Sequence, residues 1–297
     1  MITFEFLISA ISLGSLYALL ALGLVIIYGI LKMVNFAYGE LIMIGGYVLY
    51  LVGSNTNLPW LIVAVAAVLG AMAVSYLTEL VAFRRVREKS LTALLITSFA
   101  VSTLLQNGAL LIISPRAKAI ALPKVFSTSV TLFGITTPMR SILTIAVSIA
   151  LLVGLTLLFR YTILGIALRA AADNFRMTRM LGVPANLVIS SAFVLSGAIA
   201  GVVSLFWIGR TASVTPTIGL GPLLIAFVAT VIGGMRSLVG AVVGGFVYGM
   251  LFIFIGVLLP QTLLNYREAF MFLIVILILL LRPEGLVRVK YAQERVG

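Results

Sequence analysis

The sequence predicts an all-α polytopic membrane protein with about eight or nine transmembrane or half-membrane helices. Hydrophobic residues make up 62% of the 297-residue chain and charged residues only 9%, whereas soluble domains carry about 25% charged residues. Uncharged apolar runs recur that are long enough to cross a hydrocarbon core of roughly 30 Å as helices. We therefore interpret residues 1–297 as a single transmembrane domain without a separate soluble domain.

Hydropathy places nine apolar segments along the chain, and three of them are short. At 1.5 Å per residue, about 15 residues reach only about 22 Å. We expect the short segments, 39–53, 220–233 and 268–281, to be half-membrane helices, unless their ends are drawn too tightly. The complete set of predicted segments is 6–30, 39–53, 58–82, 91–113, 140–159, 187–208, 220–233, 238–259 and 268–281.

Two stretches between the apolar segments have their own character. The loop 114–138 is rich in β-branched residues, with near-alternating apolar and polar positions, which predicts a short hairpin outside the bilayer. A simple lid or spacer is the alternative. The segment 160–186 is polar and includes GIALRAAADNFRMTRMLGV at 165–183.

The polar segment has the pattern of an amphipathic helix. Arg169 and Asp173 fall on one side at helical spacing, whereas Leu168 and Ala171 fall on another. This pattern favours a cytoplasmic surface that docks a partner protein. Two alternatives remain open: a helix lying on the membrane surface, and a simple surface ion pair between Arg169 and Asp173.

The distribution of basic residues predicts the orientation. With the N-terminus outside and the C-terminus in the cytoplasm, most of the 20 Lys and Arg residues face the cytoplasm, as the positive-inside rule requires. Because the charges are scattered over short loops, the net charge of +12 does not indicate nucleic-acid binding. The basic residues left outside are Arg116, Lys118, Lys124, Arg140, Arg210 and Arg267.

The residue types exclude several kinds of chemistry. The chain has no cysteine and no histidine, and it contains no GxxxxGK[ST] phosphate loop. Its eight acidic residues all fall at predicted segment ends or in loops, whereas ion-coupled transporters usually place carboxylates inside the membrane. We expect no catalytic, cofactor-binding or metal site. Transport would then need passive flow or a separate motor; an ion-coupled carrier, a channel and a membrane-embedded enzyme remain alternatives.

Two polar or glycine-rich interruptions adjoin short segments: NFAYGE at 35–40 and GGMRSLVG at 233–240. Half-helices with free backbone groups commonly line substrate sites in transporters. The alternative for NFAYGE is a tight turn without further function. The residues predicted to lie beside a translocation path are Asn35, Phe36, Tyr38, Gly39, Gly233 and Gly234.

Several stretches resemble one family in the same order along nearly the whole chain. The family is that of the H-type inner-membrane permeases of high-affinity branched-chain amino acid ABC importers. The resemblance rests on YALLALGLVIIYGILKMVNFAYGELIMIGGYV at 17–48, ALPKVF at 121–126, RYTILGIALRAAADN at 160–174, GPLLIAFVATVIGGMRSLVGAVVGG at 221–245 and the terminal LRPEGL.

The resemblance implies a subunit of the bacterial plasma membrane that works in a complex. Its expected partners are a second, similar permease, two cytoplasmic ATPases and an extracytoplasmic solute-binding protein. The polar segment resembles the coupling helix that docks in a groove of the ATPase, through Gly165, Arg169, Ala170, Asp173, Asn174 and Gly182.

Two departures from the family pattern leave the solute open. Tyr38 stands where family members often have histidine, and residues 224–226 lack a lysine often found there. Both changes remove polarity. Branched-chain amino acids are the expected solute, and urea, short amides or other small solutes are the alternative.

Overall fold

The computed structural model describes residues 2–56, 58–87, 89–132, 135–235, 237–282 and 285–287, and this part of the chain is almost entirely helical. Its helices are α1 (Ile2–Leu31), α2 (Tyr38–Asn55), α3 (Trp60–Thr78), α4 (Arg84–Val86), α5 (Leu91–Ile112), α6 (Lys124–Ser127), α7 (Met139–Tyr161), α8 (Ile163–Met180), α9 (Ala185–Thr211), α10 (Leu220–Gly233), α11 (Leu238–Leu258) and α12 (Arg267–Leu281). A π-helical turn (Glu79–Phe83) joins α3 to α4, and a 3₁₀ turn (Gln261–Tyr266) precedes α12. Four short strands complete the fold: β1 (Lys118–Ala119), β2 (Ser129–Leu132), β3 (Ile135–Pro138) and β4 (Ser213–Val214).

Seven helical segments of the described chain have the length and apolar character needed to cross a bilayer. They are α1, α3 with α4, α5, α7, α9, α11, and α12 with the 3₁₀ turn before it. Together with the shorter α2 and α10, they match the nine predicted segments. The prediction of an all-α polytopic membrane protein is therefore confirmed.

Helix α1 is the centre of the bundle, and small residues bring its neighbours close. Gly245 and Gly249 of α11 lie against the α1 backbone, where an added Cβ would come within 3 Å of the main chain. Gly197 and Gly201 of α9 meet α3 in the same way. Close helix packing in membranes commonly uses such small residues. Helices α5, α7 and α12 remain largely exposed on the periphery.

The two ends of the bundle differ in structure. At one end β2 pairs with β3 and β1 pairs with β4, each antiparallel; we call this the hairpin side. The hairpin predicted within 114–138 is confirmed, although its residues 133 and 134 lie outside the described chain. At the other end, the Lys32 ammonium donates a 2.7 Å hydrogen bond to the Ala172 carbonyl of α8; we call this the α8 side.

Helices α2 and α10 begin inside the bundle. The ring of Tyr38, the first residue of α2, reaches Gly23 of α1 with its hydroxyl end. Gly23 lies eight residues before Leu31 at the end of α1, which is about 12 Å along the helix axis. From there α2 runs to the hairpin side. Helix α10, with 14 residues, is too short to cross the membrane, as predicted for 220–233. Helix α2 has 18 residues and extends beyond the predicted segment 39–53 at both ends.

The third short segment, 268–281, is longer than predicted. The 3₁₀ turn Gln261–Tyr266 continues into α12, and together they form a 21-residue apolar segment. This segment is long enough to span the membrane. The predicted segment begins too late, because Arg267 interrupts the apolar run directly before it.

Candidate functional site

The N-terminal ends of α2 and α10 meet inside the bundle, and we call this contact the α2–α10 junction. Its closest approach is between Gly39 of α2 and Gly219, which precedes α10. A Cβ on Gly39 would lie 2.9 Å from the Gly219 carbonyl carbon, and one on Gly219 would lie 2.6 Å from the Gly39 carbonyl carbon. Both glycines are buried. Because helix N-termini carry a partial positive charge, the junction favours negatively charged or hydrogen-bond-accepting groups.

The predicted residues at the start of α2 lie together at this junction. The Asn35 amide oxygen accepts a 3.1 Å hydrogen bond from the Ala37 N–H and closes the turn that leads into α2. Phe36 stacks on Phe99 of α5, with ring centroids 3.9 Å apart. Tyr38 is fully buried, and its hydroxyl has no hydrogen-bond partner within the described residues. Asn35 thus closes the turn before α2, and Phe36 connects this turn to α5.

Gly233 and Gly234 lie at the opposite end of α10, on the α8 side. Gly233 packs against the Gly240 backbone at the start of α11, and Gly234 adopts φ 104°, a conformation that favours glycine. Since α10 has 14 residues, its two ends are about 21 Å apart. The structure therefore does not bring the six predicted path residues into one cluster. Gly219, which no motif singled out, is the glycine that meets Gly39.

Glu40 corrects the expectation that no carboxylate lies inside the membrane region. It belongs to the first turn of α2 and is 1% exposed. Its Oε1 accepts a 3.0 Å hydrogen bond from the Ser102 hydroxyl of α5, whereas Oε2 has no partner within the described residues. In the sequence prediction, the apolar segment begins at residue 39, and Glu40 therefore falls at a segment end. The structure places that end inside the bundle.

Glu79 is a second buried carboxylate, and it is fully satisfied. Its oxygens lie 3.0 Å from a guanidinium nitrogen of Arg84 and 3.5 Å from one of Arg87. The Ser190 hydroxyl of α9 donates a 2.8 Å hydrogen bond to the same carboxylate, and Arg87 also donates to the Asn186 side chain. We call this group the Glu79 cluster. It joins the π-helical turn after α3 to the start of α9 near the α8 side.

Helix α8 has the amphipathic arrangement that the sequence predicts. The Thr162 hydroxyl caps its N-terminus by accepting a 3.0 Å hydrogen bond from the Gly165 N–H. Leu168 and Ala171 are buried against the rest of the protein. The residues proposed for partner contact, Arg169, Ala170, Asp173, Asn174 and Gly182, are exposed, whereas Gly165 is buried.

A break at Asn174 divides α8 into two helical pieces. Asn174 has φ −147° and ψ 93°, and its side-chain oxygen accepts a 3.0 Å hydrogen bond from the Met177 N–H. It thus caps the second piece. Gly182 ends the segment with φ 85°. Arg169 and Asp173 do not form the ion pair that was the alternative for this segment. Both side chains are described, and their charged groups are not within 4 Å of each other.

Comparison with known proteins gives similarity over almost the whole chain. A family model described as the permease component of the branched-chain amino acid transport system matches residues 6–280. The chain is 34% identical over 296 residues to the high-affinity branched-chain amino acid transport system permease protein LivH of Escherichia coli (strain K12), which covers 94% of this chain and 93% of that protein. It is 33% identical over 292 residues to the corresponding protein BraD of Pseudomonas aeruginosa, covering 94% of each. It is 30% identical over 299 residues to the probable permease protein LivH of Methanocaldococcus jannaschii, covering 95% and 91%.

Proposed function

Because the chain belongs to the family of permease components of branched-chain amino acid transport systems, we propose that it forms the translocation path of an ABC importer. The proposed solutes are branched-chain amino acids delivered by a solute-binding protein. The observation that carries this proposal is the α2–α10 junction, where two helices that begin inside the bundle present their N-termini to each other.

The junction supports a solute path for a physical reason. A half-membrane helix leaves backbone N–H groups at its inner end without intrahelical partners, and transporters use such ends to handle polar solutes at the middle of the bilayer. We place the path beside Asn35, Phe36, Tyr38 and Gly39. Gly233 and Gly234 belong to its α8-side end, where α10 turns into α11.

The chain's orientation follows from the same proposal. The α8 side faces the cytoplasm and the hairpin side faces outward, so the N-terminus is outside. Helix α1 ends on the α8 side, and the N–H of Leu286, after α12, donates to the Ile232 carbonyl near the end of α10. Both contacts support a cytoplasmic C-terminus. The solute-binding protein then docks on the hairpin side, and a second permease of similar fold completes the path.

The proposed motor is a pair of separate ATPase subunits that bind α8. The exposed surface of α8 combines Arg169 and Asp173 with apolar groups, of which Ile166 and Met177 are more than half exposed. Such a mixed surface suits a groove on a partner protein. Leu168 and Ala171 hold the helix to the permease, so a movement of α8 is transmitted to the bundle.

Reconstitution of the transporter in liposomes tests the function directly. We expect labelled leucine to accumulate only when the permease pair, the ATPases, the solute-binding protein and ATP are all present, because the chain carries no phosphate loop of its own. Urea and acetamide serve as alternative solutes. Uptake of leucine by the permease alone, driven by an ion gradient, would show that the protein is a carrier of another class.

The coupling role of α8 is tested by a charge at an exposed position. Ala170→Glu adds a bulky carboxylate to the exposed surface, and we expect it to release the ATPase or to lower ATP-driven uptake at least tenfold with the permease still folded. Ala170 is preferable to Ala171, because Ala171 is buried and a charge there would disturb α8 itself. Ala119→Glu, an exposed position in β1 on the hairpin side, is the matched control for ATPase co-purification, because it adds the same charge at the end of the bundle away from α8. Normal ATPase co-purification and uptake in Ala170→Glu would refute the assignment.

A further inference from the structure

Glu40 combines burial with an incomplete set of partners. Its carboxylate is held on one oxygen only, by Ser102, and the other oxygen is buried without a hydrogen bond in the described chain. Among the described residues, no Lys or Arg nitrogen lies within 4 Å of it. A carboxylate that is buried without a cation is costly, and an ionisable residue inside a membrane bundle usually indicates a functional site.

The partner of Glu40 belongs to a polar face of α5. Ser102 and Gln106 are half-buried, and Thr103 and Asn107 next to them are exposed. All four lie near the middle or in the second half of a 22-residue apolar helix. Hydrocarbon does not favour exposed polar side chains at this depth, so such a face usually borders a water-filled cavity or another protein. Glu40 therefore lies at the edge of this polar face, directly after Tyr38 and Gly39, beside which we place the solute path.

Apolar groups lie one helical turn from both carboxylate and serine. Ile44 follows Glu40 by four residues on α2, and Phe99 precedes Ser102 by three on α5, so each pair shares a face of its helix. Ile44 lines an open groove of about 870 Å³ together with residues of α5, including Thr103 and Asn107. Phe99 is 53% exposed. The site thus offers a single anionic group beside an apolar surface.

This arrangement matches the chemistry of an aliphatic amino acid. The first turn of α2 favours a negative charge on Glu40, and a compact ammonium is the complementary cation. On the basis of the proposed function, we infer that Glu40 binds the α-ammonium group of the amino acid during passage, while Ile44 in the groove contacts its aliphatic side chain. The contact is transient, since a tightly bound solute would not leave the path.

The charge of Glu40 is tested by Glu40→Gln in the complete reconstituted transporter. We expect normal assembly and normal stimulation of ATP hydrolysis by the loaded binding protein, with at least a fivefold fall in leucine imported per ATP hydrolysed. Glu40→Asp, which keeps the charge, restores at least half of the wild-type ratio. Glu79→Gln is the matched control, because it neutralises the other carboxylate that is buried in the described chain. Per assembled complex, its ratio of leucine imported to ATP hydrolysed stays within twofold of wild type. A loss below fivefold in Glu40→Gln overturns the inference.

A second measurement decides the question if Glu40→Gln does not assemble. The chain has no cysteine, so Ser102→Cys provides a unique thiol in this subunit beside Glu40. Aminoethyl methanethiosulfonate attaches an ammonium there, and propyl methanethiosulfonate attaches a neutral group of the same shape. We expect the ammonium adduct to lower leucine uptake at least fivefold more than the propyl adduct. Equal inhibition overturns the inference.

The controls separate this inference from the function on which it rests. The wild-type chain treated with both reagents reports the effect on thiols of the partner subunits. If the assembled wild-type complex imports no leucine, the proposed function fails. If the wild type imports leucine and Glu40→Gln does so with the same yield per ATP, only the role of Glu40 fails.

Discussion

Glu40 at the α2–α10 junction and Glu79 in its cluster are both buried carboxylates, yet they have opposite surroundings. Glu79 accepts two ion pairs and a serine hydrogen bond. Glu40 accepts a single serine hydrogen bond and has a second oxygen without a partner in the described chain. Burial alone therefore does not distinguish a structural carboxylate from a functional one. The number and charge of the partners do.

The backbone around the two carboxylates supports the same distinction. The π-helical turn Glu79–Phe83 precedes Arg84, and Arg87 comes directly after α4, so all three charged groups come from one continuous stretch of chain. The Glu79 cluster is thus largely local and is completed by two side chains of α9. Glu40, by contrast, lies where a tight turn and the first turns of α2 and α10 meet, and its hydrogen-bond partner comes from a peripheral helix.

The largest expected effect concerns the stability of the Glu79 cluster. Glu79→Gln removes the negative charge between two arginines, and breaking a buried ion pair costs about 3–5 kcal/mol. We expect a smaller loss of about 2–3 kcal/mol, since the Arg84 side chain is 31% exposed and regains water. Unfolding of the purified permease in mixed detergent micelles measures this value.

Glu40→Gln supplies the contrasting measurement in the same assay. It removes an unpaired carboxylate from a buried position, so we expect a change in unfolding free energy of less than about 1 kcal/mol, or a slight gain. If Glu40→Gln destabilises the protein as much as Glu79→Gln does, the two sites are both structural and the distinction drawn between them is wrong.

The sequence predicted the helices well because apolar runs and polar breaks are local signals. The segment 220–233 coincides with α10, and the hairpin at β2–β3 follows from β-branched alternation. The break at Asn174 is also a local effect, but only the structure shows it, through the non-helical backbone angles of Asn174 and its capping bond to Met177. Its residues were predicted as one continuous amphipathic helix.

The site was less predictable, since it depends on contacts between distant segments. Gly39 and Gly219 are far apart in sequence, and nothing in the residues around either glycine indicates that they meet. The depth of Glu40 depends on the turn back at residues 32–37, which hydropathy does not report. Gly233 and Gly234 were grouped with the path because of their composition, although they lie at the other end of α10.

An intermediate effect on stability concerns the packing of the junction and is measured by Gly39→Ala. The added methyl group would come within 3 Å of the Gly219 carbonyl carbon and of the Leu223 Cβ, and overpacking of this kind costs about 1–3 kcal/mol. Alanine recovers up to about 1 kcal/mol through its higher helix propensity. We expect a net loss of about 1–2 kcal/mol and a fall in transport, because the two helix ends are pushed apart.

Gly108→Ala on α5 is the matched control for this variant. Apart from the adjoining backbone of α5 itself, no atom of the described chain lies within 4 Å of a Cβ at that position. The substitution therefore retains only the gain in helix propensity, up to about 1 kcal/mol. The two glycine variants should therefore shift stability in opposite directions in the detergent assay.

The Glu79 cluster is held by charges, whereas the junction is held by close backbone packing. We therefore expect Gly39→Ala and Glu79→Gln to be additive: the loss of stability caused by Glu79→Gln should be the same with and without Gly39→Ala, as expected for independent sites. A clear departure from additivity would show that the two regions form one cooperative unit.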